Sequence, residues 1–226
     1  MPAAYHAATP ASDLVARAVR AKGGLQKLRS VRTIKATSTT TFLDQGPSPV
    51  DVETDVFIRY PNAFRVDLKS PGGPLVQVFN AGDYWIQDHR GARSASEAIA
   101  AQIRGNIQRD ILGLLLAATD GKLTATRAAD VIDNGRTLPA ITFTGKDMAA
   151  VTLLLDPATD LVVAERYEPS PGVLIEEQYS DYRAINGLHV AFSASVRRDG
   201  HLFVNRRVRS FEYNIPLDPA LFTKPS

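Results

Sequence analysis

The chain has 226 residues, 44% of them hydrophobic and 22% charged, proportions of an ordinary globular protein with room for one large or two small domains. A formal net charge of +2 is too small to point to a nucleic-acid partner, and the absence of cysteine excludes disulfides, thiol chemistry and Cys-based zinc sites. No apolar run approaches the ~20 residues of a membrane-spanning helix, so no integral membrane segment is expected.

The first stretch, MPAAYHAATPASD, lacks both a basic n-region and a continuous apolar h-region. Residues 1–11 read as a disordered leader or linker, the flank of a mature chain. Ser12 is placed to cap a helix with Leu14, Val15, Ala18 and Val19 on one face, ended by Gly23-Gly24. The period then changes to two. Residues 33–43 alternate through Ile34, Ala36, Ser38, Thr40 and Phe42, and residues 50–59 through Val50, Val52, Thr54, Val56 and Ile58. Both runs predict half-buried antiparallel strands. From Phe64 to Ile86, short links at Ser70–Pro74 and Ala81–Asp83 separate three more strands, an antiparallel meander that holds the single Trp.

One helical island follows. Ser94 and Glu97 have capping-box spacing, and Ile99, Ile103, Ile107 and Ile111 recur at steps of four before Leu114–Leu116. Gly105 and Gly113 inside the stripe favour two short helices over one long one. From Lys122 onward, turns at Asp133-Asn134-Gly135, Asp156–Thr159, Pro169–Gly172, Asn186-Gly187 and Asp199-Gly200 mark further strands. The tail 218–222 predicts one helical turn that tucks Phe222 into a core. The expected architecture is mainly β (α+β), with residues 12–226 as a single domain. It is an open antiparallel half-barrel of about ten strands, with an N-terminal helix and a helical insertion covering its concave face.

Motifs for chemistry are missing. There is no HExxH, GxSxG, P-loop or GxGxxG. Of the four histidines, His6 lies in the leader, while His189 and His201 sit beside turns. Asp88-His89 is the one conceivable acid–base pair, but Arg90-Gly91 place it in a surface turn. Asp51, Glu53 and Asp55 share a strand face at ~7 Å steps, a row read as solvated in preference to metal-binding; Glu176-Glu177 reads the same way. Arg197, Arg198, Arg206, Arg207 and Arg209 flank one hairpin and predict a basic patch, without the interleaved aromatics that nucleic acid needs. The expectation is a non-catalytic protein with no cofactor and no metal. Its candidate ligand-binding residues are apolar: Phe42, Val56, Ile58, Phe64, Val66, Val78 and Trp85 along one sheet face, opposite Ile103, Ile107 and Ile111. These residues either fill a core or line a cavity for a lipid, acyl chain or other apolar ligand.

The order of parts resembles the LolA/LolB superfamily of periplasmic lipoprotein carriers. The likeness is carried best by Ile58–Asp88, through Pro61-Asn62, Phe64, the Gly82 turn and Trp85. Segments Ala21–Leu25, Tyr60–Arg65, Ser180–Arg183 and Pro216–Phe222 resemble LolA-like domains at the C-terminus of secreted M16 zinc peptidases. The peptidase motif HxxEH is absent, so such a part would be the non-catalytic one. The resemblance implies an apolar ligand between sheet and helices, a lipoprotein or peptidase partner, and a periplasmic or secreted location. One position departs. The carriers place an Arg, tied to lid movement, directly before the Pro where this chain has Tyr60, and Arg59 points to the other strand face.

Overall fold

A computed structural model describes residues 9–44 and 46–225; the expected leader lies mostly outside these residues. Two helices come first, α1 (Ala11–Lys22) and α2 (Leu25–Ser30). Six strands follow: β1 (Thr33–Phe42), β2 (Val50–Arg59), β3 (Ala63–Ser70), β4 (Gly73–Asn80), β5 (Asp83–Asp88) and β6 (Gly91–Ser94). Then come α3 (Glu97–Gln108) and α4 (Ile111–Thr119). The second run of strands is β7 (Thr124–Asp133), β8 (Arg136–Gly145), β9 (Met148–Leu155), β10 (Val162–Ser170), β11 (Val173–Ile185), β12 (Leu188–Arg198) and β13 (His201–Tyr213). A 3-10 turn, Pro219–Phe222, ends the chain.

Among the described residues, thirteen strands form one open antiparallel sheet in the order β6-β5-β4-β3-β2-β1-β13-β12-β11-β10-β9-β8-β7. Each half is a meander whose strands pair with their sequence neighbours. The two meanders join where β1 pairs with β13, Ile34 opposite Tyr213 and Phe42 opposite Val204. The count exceeds the expectation of about ten partly because the surface turn Asp88–Gly91 leads into a further strand, β6, and because a tight turn at Gly145–Met148, where Asp147 takes φ 54°, divides β8 from β9.

Helix boundaries differ from the sequence reading in three places. Ser12 lies inside the first turn of α1, with Pro10 at the cap position. Ser96, not Ser94, caps α3, its hydroxyl accepting from the Ile99 N–H; Ser94 ends β6. The island does split in two, but at Arg109-Asp110 and not at either glycine. Asp110 caps α4 by accepting from the Gly113 N–H at 2.9 Å, a stronger stop signal than Gly105 or Gly113 supplies.

The helices gather on one face of the sheet, here the inner face. Leu14, Val15, Ala18 and Val19 of α1, Leu28 of α2 and Leu112, Leu114 and Leu115 of α4 pack on Ile34, Ile141, Phe143, Val151, Leu153, Leu155, Val162 and Leu188. All are buried, and a space of about 10 Å³ lies between Ala18, Lys22, Ile111 and Val162. A second, smaller core lies on the outer face, where the 3-10 turn presses Phe222 against Ala63, Val78 and Trp85.

Candidate functional site

Directly opposed residues in antiparallel strands share a face. Across β2 to β5 the register aligns Ile58, Phe64, Phe79 and Tyr84 in one row, and Val56, Val66, Gln77 and Ile86 in the next. Ile58 also opposes Ile34 of the main core, so both rows belong to the inner face. Phe57, Arg65, Val78 and Trp85 form the alternate row on the outer face. The expected floor is therefore corrected. Phe42, Val56, Ile58, Phe64 and Val66 share the inner face, but Val78 and Trp85 point away from it and pack against Phe222.

The physical reason is turn length. Two-residue loops, Pro71-Gly72 and Ala81-Gly82, join β3 to β4 and β4 to β5. They pair even-numbered positions with odd ones, which swaps the parity of the inner face at each hairpin. Ala81 and Gly82 both take positive φ, 50° and 106°, as a tight hairpin of this kind demands.

The inner face is not uniformly covered. Under α1, α2 and α4 it is filled with side chains. Over β4 and β5 the cover is α3, which also reaches β9 and so bridges from one half of the sheet to the other. Arg104 of α3 lies 5.8 Å over the Tyr84 ring, and Gln108 donates to the Asp147 carbonyl at 3.0 Å. Ile103 is fully buried beneath this helix, Ile107 is half-buried, and Ile111 begins α4 against the main core. Yet Val56, Ile58, Phe64, Val66, Leu68, Leu75, Phe79 and Tyr84 all remain half-buried. These side chains form one partly covered apolar strip, a candidate trough, along this half of the sheet.

Towards the sheet centre the inner face turns polar. Ser38, Thr40 and Thr54 are buried there, and the Thr54 hydroxyl lacks a hydrogen-bond partner among the described residues. Beyond them Arg206 donates to Glu177 at 2.7 Å, and Glu177 opposes Glu165 across the β10–β11 pair. Glu165 is 2% exposed, with one carboxylate oxygen 3.5 Å from Arg109 Nε. The Arg109 guanidinium stacks 3.8 Å over the Tyr167 ring. Burial, followed by the charge of Glu177, pushes the Glu165 carboxyl up to about 8, although Arg109 pulls the other way. The sequence did not single out this cluster. Glu165 sits beside Arg166 in a strand, and nothing in an alternating Glu-Arg pair tells which one faces inward.

The remaining sequence candidates lie apart from this cluster. Asp51 and Glu53 accept from Thr41 and Thr39 at 2.6 and 2.9 Å, and Asp55 from Lys69 at 2.8 Å, all on the outer face. No group of His, Asp or Glu among the described residues is arranged to hold a metal. The basic run divides. Arg206 faces inward, Arg209 pairs with Glu53 outside, and Arg198 stacks over Phe203 at 4.6 Å. Asp88 is held below the usual carboxylate range by Arg93 and the Arg90 N–H, while His89 is exposed. His189 is half-buried, its Nδ1 2.6 Å from the Ala21 carbonyl at the end of α1. His6 lies outside the described residues.

No family model matches the chain, and no curated protein does. Solved structures do match over nearly the whole length. A LolA superfamily protein from Nitrosomonas europaea superposes with a TM-score of 0.66, covering 96% of this chain and 99% of that one at 12% identity. The fold is LolA-like. A DUF1329 family protein from Desulfovibrio piger gives 0.67, with 95% and 97% covered at 12% identity. A domain from Vibrio parahaemolyticus assigned to outer membrane lipoprotein sorting gives 0.59, with 94% and 97% covered at 12% identity. At such identities the likeness speaks for the fold alone. The resemblance to M16-attached domains rests on the sequence segments.

Within this LolA-like sheet the position before Pro61 has a defined contact. The Tyr60 hydroxyl donates to Asp110 Oδ2 at 2.6 Å, the same oxygen that caps α4, and so ties the end of β2 to the α3–α4 junction. Burial and the neighbouring Asp110 charge push the Tyr60 phenol well above its ordinary value, so it stays a donor. Tyr60→Phe should cost about 1.5–3 kcal/mol, the range for a hydrogen bond to a charged group. Amide exchange at the start of α4 should quicken in the variant; unchanged protection there would refute the tie.

Proposed function

We propose that this chain is one LolA-like domain that binds a lipid, an acyl chain or another apolar ligand along the inner face of β2–β5. It acts without catalysis, as a carrier in a periplasmic or secreted setting of the bacterial envelope. The observation behind this reading is the contrast within one face. Buried side chains fill it under α1, α2 and α4, whereas along β2–β5 Val56, Phe64, Val66, Leu68, Leu75, Phe79 and Tyr84 stay half-buried. Burying an acyl chain releases about 0.8 kcal/mol per methylene, so about twelve methylenes supply roughly 10 kcal/mol before ordering costs.

Uptake of a fluorescent fatty acid by purified protein, with native mass spectrometry of what co-purifies, tests the reading. Val66→Asp puts a charge in the trough, and uptake should fall at least tenfold while circular dichroism stays unchanged. Wild-type protein that neither co-purifies with lipid nor takes up the probe would sink the proposal. That outcome would favour an accessory domain that binds partners such as a peptidase, its packed core resembling the part beneath α1, α2 and α4.

A further inference from the structure

The inner face pairs an apolar trough with a charged cluster, and the cluster is built in an unusual way. Glu165 is 2% exposed, and its Oε2 has no hydrogen-bond partner among the described residues. Even with its proton held, the buried carboxyl keeps an unmatched oxygen, which costs about 1–3 kcal/mol. An apolar side chain would serve a merely filled core better. Arg206, on the same face, keeps 39% of its side chain exposed and among the described residues makes one hydrogen bond, to Glu177. A guanidinium carries five donors, so most of its capacity is free. The cluster thus offers one acceptor without a donor and one cation without a full set of acceptors, linked through Glu177, which opposes Glu165 and accepts from Arg206. Buried Ser38, Thr40 and Thr54 lead from it to the trough, Thr54 opposing Leu68 and Thr40 opposing Val52.

We propose that Glu165 and Arg206 form a head-group subsite for a zwitterionic amphiphile, an amine close to a phosphate on one head group, whose alkyl chains lie in the β2–β5 trough. The amine donates to Glu165 Oε2, and the phosphate accepts from Arg206. The charged groups that reach Glu165 are Glu177 on β11, Arg109 and Asp110 at the α3–α4 junction and Arg206 on β13, with the Tyr167 and Tyr179 phenols nearby, while β9 presents the apolar Leu153. Because the Glu165 carboxyl holds its proton to about pH 8, an arriving ammonium displaces that proton into solvent. The subsite rests on the binding reading above, but it fails separately from it.

The test offers the full chain vesicles of phosphatidylethanolamine, phosphatidylglycerol or diacylglycerol with identical acyl chains, and free glycerophosphoethanolamine. Lipid transferred to protein is measured by mass spectrometry, and proton release by calorimetry at pH 7 in buffers of differing ionisation heat. Phosphatidylethanolamine should be favoured at least tenfold, with close to one proton released per lipid. Glu165→Gln should remove both effects while diacylglycerol uptake persists, and Arg206→Gln should remove the preference. Equal uptake of all three lipids, or a preference that survives Glu165→Gln, would overturn the subsite and leave the trough standing. No uptake of any lipid would overturn the trough reading. Binding of free glycerophosphoethanolamine as tight as that of the lipid would support the subsite and assign it to a soluble ligand.

Discussion

Glu165→Gln should flatten the pH dependence of stability between about pH 5 and pH 8. In the folded chain the carboxyl is raised from an ordinary 4.5 to about 8, first by burial and then by Glu177. The unfolded chain gives up this proton near 4.5, so inside the window it binds fewer protons than the folded chain, and stability falls as pH rises. The contribution is fully present below the unfolded value and is lost as pH climbs through about 8. Summed over the window it amounts to on the order of 4 kcal/mol. Gln keeps the neutral shape and cannot ionise, so the variant should gain on the wild type steadily with pH. Urea midpoints of both proteins at pH 5, 6.5 and 8 measure this. Parallel curves would mean that Glu165 is ionised and matched in the folded state. Asp156 and Asp181 are held below their ordinary value, so their titration lies under this window and carries the opposite sign.

Phe222→Ala should cost about 3–5 kcal/mol, the range for removing a buried aromatic side chain. Phe222 is 1% exposed and closes a core with Ala63, Val78 and Trp85, which are 3%, 0% and 2% exposed. The turn that carries it is pinned from both sides. Arg65 donates to the Leu221 carbonyl at 2.7 Å, Asn80 to the Phe222 carbonyl at 3.3 Å, and Asp218 accepts from the Ala220 N–H at 2.9 Å. Arg59 stands 5.0 Å over the ring. Trp85 is the single Trp of the chain, so its fluorescence reports this site alone. Emission should shift to the red in the variant, because undocking the turn uncovers the indole. Emission that stays at the wild-type wavelength would show that β3–β5 shield the indole without the tail. The experiment also separates the two faces, since the trough lies on the other side of the same strands and should still take up an apolar probe.

Much of the fold was legible because its signals are local. Turn residues at Asp133–Gly135, Asp156–Thr159, Asn186-Gly187 and Asp199-Gly200 mark real hairpins, and several adopt the positive φ that selects Asn, Asp and Gly. Period-two alternation identified β1 and β2, and the cap at Asp110 shows why the helical island divides. The face of each strand was less legible. Phe64 and Val66 share the face of Ile58, but Val78 and Trp85 do not, because each two-residue loop reverses the parity. That signal was present in the spacing of Ser70 to Gly73 and Asn80 to Asp83. The charged cluster had no comparable signal. Arg109, Glu165, Glu177 and Arg206 lie on four different elements, and each alone looks like an ordinary solvated charge.

By itself the sequence determined that this is a mainly antiparallel chain with helices before and within it, lacking recognisable catalytic motifs, because turn chemistry and side-chain period act over a few residues. Only the tertiary structure decided which apolar residues fill a core and which are left half-covered. That distinction depends on where α3 crosses the curl of the sheet and on which face each hairpin turns inward. It depends also on the pairing of β1 with β13, which joins the two ends of the chain and sets Arg206 beside Thr40. Burial is a property of the assembled sheet, and so are the raised carboxyl of Glu165 and the trough beside it.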